Sequence, residues 1–272
     1  MVANCCLTAR ANTTPPPPTT GYAHPKCYAR ALNDCSTGIS GEHIVSRSIL
    51  EQLSQGRQVL YSGFPLTTVG EFKPIGISAL TANVLCQRHN QALSGLDALA
   101  GRFFEFMRDE SPHRPLTLIN GDELERWMLK LMCAFISRGT SFGEERLRDW
   151  CPPVEWLRIL FGSNRVLPTC GLCYVSAGQQ IWRKTDVEIT AARQPASGAI
   201  EIAVVVAGFP FLFAMQPRPT IVNSPEMRIE LVHRPRAIRI ENAQGQRRLE
   251  FGWLAGWEIT ATALPTGPAT PN

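Results

Sequence analysis

Four metal-ligating side chains, Cys27, Cys35, Cys86 and His89, constrain this chain more than any other feature. Structural zinc takes four sulfur or nitrogen donors in a tetrahedron. Cys86 and His89 form a compact half-site, because the two residues between them let both side chains converge on one ion. Cys27 and Cys35 form a looser half, with the turn-compatible Asn33-Asp34 between them. If the halves close on one ion, the loop before Glu42 is pinned against the start of a helix at Leu85. The competing reading is two unrelated buried thiols and a surface histidine.

Composition bounds the rest. At 272 residues the chain has room for one large domain or two modest ones. Its 27 basic and 23 acidic residues leave a net charge of +4, which permits a nucleic-acid partner without arguing for one. Nine cysteines, an odd number at irregular spacing, make a poor disulfide framework and suit metal binding in a reducing compartment. The start, MVANCCLTAR, lacks an apolar run of signal-peptide length. The strongest apolar run, residues 202–215, is broken by Pro210 and too short to span a bilayer. The expectation is a soluble, cytoplasmic protein.

Along the chain, residues 1–22 carry a proline tetrad at 15–18 and read as a disordered tail, as do 264–272. Residues 23–110 hold the metal donors. Within them a strand leads into a short helix at 46–55, and glycines and prolines mark 56–76 as mostly loop. From Val84 the apolar spacing turns helical. Residues 111–165 read as a helical connector, with Asp122 as N-cap of one helix and a shorter helix near 154–160. Residues 166–263 break into short β-prone runs separated by glycine and proline, and predict an antiparallel β-rich domain. Pro210 assigns its run to an edge strand or places itself where a strand begins. The fold class is α+β.

A second constellation overlaps the first. Glu42 and His43 stand in GEHIVSRSIL; Asn83 and Asn90 stand in NVLCQRHN. Phosphodiester hydrolysis needs an activated water and neutralisation of charge on the leaving oxygen. An imidazole suits the first need. A hard divalent ion held by oxygen ligands suits the second. Glu42 offers a carboxylate, Asn90 an amide oxygen and His43 the base. His89 and Asn90 are neighbours about 100° apart on a helix, so one faces the zinc while the other faces a catalytic ion.

These residues resemble the HNH endonucleases of the ββα-metal class, whose pattern runs Asp/Glu-His, a middle Asn three positions before a Cys, and Cys-x2-Cys followed by His or Asn. Glu42-His43, Asn83 and Asn90 match; His89 replaces the second zinc cysteine. The resemblance spans about residues 24–100. It implies a ββα-metal HNH module with structural Zn2+, and one catalytic Mg2+ or Mn2+ held by Glu42 and Asn90. It also implies that His43 activates water and that Asn83 orients His43 or its loop. The expected partner is nucleic acid, DNA ahead of RNA, with a further ligand or protein partner at the β-rich domain and no membrane. A defence or mobile-element setting is the family-level expectation. The rival is an inactive, zinc-scaffolded nucleic-acid-binding or protein-interaction module.

Adjacent strand residues point to opposite faces. Glu42 and His43 therefore reach one site only if the strand ends, bulges or twists beside Gly41. Asp97, two helical turns beyond Asn90, is weighed as an extra ligand against the commoner reading of a surface or helix-pairing carboxylate. Arg47, Arg88 and Arg102 are candidates for phosphate contacts. Cys170 and Cys173 read as buried strand cysteines, and the tryptophans as core.

Overall fold

The two halves of the metal-donor pattern are brought together by strand pairing. In the computed structural model, β1 (Ile39–His43) runs antiparallel to β4 (Thr81–Cys86), with Ile39 opposite Cys86 and His43 opposite Thr81. The 22-residue helix α2 (Gln87–Arg108) follows β4 without a break. Between β1 and β4 lie α1 (Arg47–Ser54), β2 (Val59–Gly63) and β3 (Lys73–Ile75). The structure describes residues 19–54, 56, 58–63, 66–68, 70–108, 117–139, 141–142, 145–146, 150–177, 186–193, 200–206, 208–216, 229–242 and 245–254. Both expected tails fall wholly or mainly outside these residues; of the first, only 19–22 is described.

β5 (Thr117–Asn120) leads into α3 (Gly121–Ser137), and the short pair β6 (Ser141–Phe142) and β7 (Glu145–Arg146) precedes α4 (Val154–Phe161). Seven strands follow: β8 (Gly171–Ala177), β9 (Asp186–Arg193), β10 (Ile200–Val206), β11 (Phe209–Ala214), β12 (Ile229–His233), β13 (Ala237–Asn242) and β14 (Gly245–Gly252). The β-prone runs of the sequence sit on these strands, and the whole is of the α+β class.

Two local expectations change, and one pair of alternatives is decided. The segment expected to be mostly loop contains β2 and β3, and both join a seven-stranded sheet of order β12-β8-β11-β10-β9-β2-β3. Gly63 ends β2 with φ of +103°, Gly76 follows β3, and Pro74 stands inside β3, which is an edge strand of the sheet. Residues from both sides of position 110 therefore share one sheet, through the parallel β2–β9 pairing. Of the two places open to Pro210, the structure takes the strand start: Pro210 is the second residue of β11, which is interior to the sheet, with β10 on one side and β8 on the other. The N-cap of α3 is Asn120, whose side chain accepts from the Glu123 amide; Asp122 lies in the first turn and accepts from the Leu254 amide.

α3 is the central element. Every residue from Gly121 to Ile136 is buried. A helix buried all round is normally apolar all round. This one carries charges, and each of the deepest has an ionic partner: Arg126 with Glu123, Glu125 with Arg234, Lys130 with Glu42 and Asp97. Phe103 and Phe104 of α2, Trp127 of α3 and Phe211 of β11 meet ring to ring in the same core. Helices α1 and α2 approach closely at Gly101, where an added Cβ would lie 2.5 Å from the Ser48 hydroxyl.

Candidate metal centre and adjoining cavity

The donor set Cys27, Cys35, Cys86 and His89 is assembled as the spacing predicts. Cys27 and Cys35 flank a short turn of 3-10 helix at Arg30–Leu32, which ends on Asn33 in the left-handed conformation. The Tyr28 amide donates to the Val84 carbonyl and ties this turn to β4. Cys86 ends β4, and His89 lies in the first turn of α2.

The Nδ1 atom of His89 is 3.2 Å from Cys86 Sγ, 3.5 Å from Cys27 Sγ and 3.8 Å from Cys35 Sγ, and all four donor atoms lie within 4.8 Å of one another. Tetrahedral zinc with ordinary bond lengths sets its donors about 3.5–3.8 Å apart. All four residues are essentially inaccessible to solvent.

The protonation chemistry also fits. Burial pushes the His89 imidazolium down to about 4, leaving a neutral ring with a lone pair on Nδ1. Burial raises the Cys27 and Cys35 thiols, so an ion is needed to hold them as thiolates. Burial acts the same way on Cys86, but amides of His89 and Ser36 reverse it and bring that thiol below its ordinary value. Nε2 of His89 is buried with no hydrogen-bond partner among the described residues, and the ring packs on Phe161 of α4 at 4.7 Å. Arg88 donates from Nε and Nη2 to Asp34 at 3.1 and 3.0 Å, cross-linking the two halves of the donor set. This contact engages a residue considered for phosphate binding in a structural ion pair.

A separate open cavity of about 630 Å³ lies against the other side of the same elements. Its lining includes Glu42 and His43 of β1, Arg47 of α1, and Asn90 and Asp97 of α2. The β1–β4 register slips between Ser40 and Glu42, so that Asn83 and Val84 together oppose Gly41. That irregularity, with the strand ending at His43, lets two consecutive residues line one cavity. Asn83 is exposed on β4 beside Gly41 and is not part of the lining; its Oδ1 would lie 3.9 Å from a Cβ on Gly41. Arg102 is exposed on α2 and also outside the lining.

The residue that sequence reading missed is Lys130. Its Nζ lies 2.5 Å from Glu42 Oε1 and 2.5 Å from Asp97 Oδ1, with the side chain 1% exposed. Asp97 Oδ1 also accepts from Ser46 Oγ, and Ser46 Oγ accepts from Trp127 Nε1 at 2.7 Å. Asp97 is thus neither a free surface group nor an idle one. Burial alone would lower the Lys130 ammonium, but Glu42 and Asp97 outweigh it and hold the charge above its ordinary range. Burial raises the Glu42 carboxyl while Lys130 opposes it. His43 moves the other way: burial first, then the charges of Arg47 and Lys130, push its imidazolium below the ordinary value. His43 thus lines the cavity with its ring biased toward the neutral form, which can accept a proton.

Among the described residues, the Cys27, Cys35, Cys86 and His89 set is the one group of three or more His, Cys, Asp or Glu donors drawn together tightly enough to hold an ion. Glu42, His43 and Asp97 share a cavity without forming a second such group. Comparison with protein-family models, curated proteins and solved structures found no match. No helix among the described residues is long and apolar enough to cross a membrane.

Proposed function

We propose that this protein is a metal-dependent endonuclease of the HNH type that hydrolyses phosphodiester bonds in DNA. The observation that carries the reading is the shared cavity. Glu42, His43 and Asn90 line it together, on a strand pair and helix backed by a Cys3His cluster suited to zinc. In this reading zinc ties β4 and the first turn of α2 to the loop before β1. His43 takes the proton of the attacking water. Glu42 and Asn90 hold Mg2+ or Mn2+, which when bound supplies charge neutralisation at the phosphate. Asn83, beside Gly41, steadies the strand irregularity that brings Glu42 and His43 to one face. Arg47, at the cavity rim, meets the phosphate backbone.

One observation favours a second reading. The Lys130 ammonium already neutralises Glu42, as it would in a decayed site kept for its scaffold alone. That reading makes the protein a zinc-scaffolded nucleic-acid-binding or protein-interaction module. Plasmid nicking with Mg2+ or Mn2+ separates the two. The enzyme reading expects relaxation of supercoiled DNA by wild type and a loss of about 100-fold or more in His43→Ala, the usual scale for a removed general base. Equal inertness of both proteins, with zinc still bound, establishes the scaffold reading. Single-stranded and duplex RNA in the same assay test the choice of DNA.

A further inference from the structure

Behind the cavity wall, paired with two of its lining residues, lies a buried cation that the HNH-like segment does not encode. Lys130 comes from α3, beyond that segment, and its ammonium bridges β1 at Glu42 and α2 at Asp97. The buried Glu42 carboxylate and the partly exposed Asp97 carboxylate on one wall repel each other, and the buried one costs several kcal/mol if left without a counter-charge. Trp127, three residues earlier on α3, reaches the same Asp97 oxygen through Ser46. Helix α3 thus holds Asp97 through both a charge and a hydrogen-bond relay.

We propose that Lys130 is a resident counter-ion that competes with the divalent ion for Glu42 and sets the threshold for metal loading. The inference rests on the reading of Glu42 and Asn90 as metal ligands. Without a divalent ion, the ammonium satisfies Glu42 and Asp97 and keeps the strand and helix in place. A divalent ion at Glu42 shares that carboxylate with a fixed positive charge, and like charges at such range in a partly buried site weaken each other's binding strongly. The site then fills only when the free ion concentration is high enough to overcome Lys130.

The test uses zinc-loaded, full-length protein and Mn2+ as the probe. Mn2+ binding is measured by electron paramagnetic resonance on wild type, Lys130→Met and Glu42→Gln. Competition expects Lys130→Met to bind Mn2+ about tenfold tighter or more, and Glu42→Gln to lose the site. It also expects the thermal midpoint of Lys130→Met to be lower than wild type without Mn2+ and to recover more when Mn2+ is added. Equal or weaker Mn2+ binding by folded Lys130→Met overturns the proposal while leaving the metal site standing. Binding that is absent from wild type and Lys130→Met alike, or that survives in Glu42→Gln, overturns the metal-ligand reading and the competition with it. Should Lys130→Met not fold, the wild-type lysine side-chain signals are followed by nuclear magnetic resonance during Mg2+ titration. A Lys130 signal that shifts with Mg2+ supports competition; one that stays fixed while Mg2+ binds overturns it.

Discussion

At the residue scale, the Cys3His cluster and the Lys130 bridge illustrate two ways of burying polar atoms. The cysteines and His89 leave donor atoms facing one another at distances that suit an ion. Lys130 pairs ionically with both Glu42 and Asp97 and donates a hydrogen bond to Asp97. Removing a donor from the first kind of site leaves the rest without a common partner. Cys86→Ser is therefore expected to lose bound zinc, from one ion per chain to well under one, and to unfold about 10 °C or more below wild type. Metal analysis of the purified protein and calorimetry check both. Retention of a full zinc complement would remove Cys86 from the ligand set. Cys86 and His89 were legible in the sequence from short spacing and ligand type, whereas the closing of the looser Cys27 and Cys35 half upon them depends on the pairing of β1 with β4. Lys130 was not legible: in the sequence it is one polar position on an amphipathic stripe, and only packing on every side of α3 makes it interior.

At the scale of the element, α3 shows what a fully buried helix demands of its charges. Glu125 receives Arg234 Nε and Nη2 at 2.9 Å each and the Leu172 amide at 2.9 Å. Burial nevertheless pushes its carboxyl from about 4.5 up to about 7, with Arg234 pulling back. The folded protein then keeps this proton over a pH range where the unfolded chain has released it. Stability from this group is greatest below about 4.5, falls as the pH rises to about 7, and is level above that. The full change is on the order of 3 kcal/mol. Glu125→Gln is expected to be less stable overall, because Arg234 loses its carboxylate partner, yet to show a flatter dependence of unfolding free energy on pH between 5 and 7. Denaturant melts of both proteins across that range measure the difference. Parallel curves would show that Glu125 is ionised throughout. The pairing of Glu125 with Arg234, 109 residues away, has no local signal from which it could be read.

At the scale of the whole molecule, the sheet joins what the chain separates. β2 and β3 lie between the two halves of the metal-donor pattern, yet β2 pairs with β9, and the two extend a sheet whose other strands come from residues 171–233. The join depends on Gly63, whose φ is +103° and whose Cα faces the Ile189 backbone so closely that a Cβ there would overlap the carbonyl. Backbone cannot rotate aside as a side-chain tip can. Gly63→Ala is expected to cost at least 1–3 kcal/mol, seen as a drop of about 2–8 °C in thermal midpoint, with zinc content unchanged in the folded protein. A midpoint equal to wild type would mean that the β2–β9 join is not held at Gly63. The candidate metal centre and the cavity share in this integration, because His89 packs on Phe161 of α4 and Glu42 pairs with Lys130 of α3.

Sequence alone determined the donors, the helix that carries His89 and Asn90, and the β-rich character of the last third. Each depends on residue type and short-range spacing, which local geometry converts directly into position. It also stated the condition for Glu42 and His43 to share a face, and the slip beside Gly41 meets it. Only tertiary structure decided that the segment between the halves contributes two strands to a sheet, that the sheet crosses the middle of the chain, and that Lys130 neutralises Glu42 and Asp97. Those features arise between residues far apart in sequence. Their energies come from strand pairing, burial and charge compensation that exist only once the chain has closed on itself.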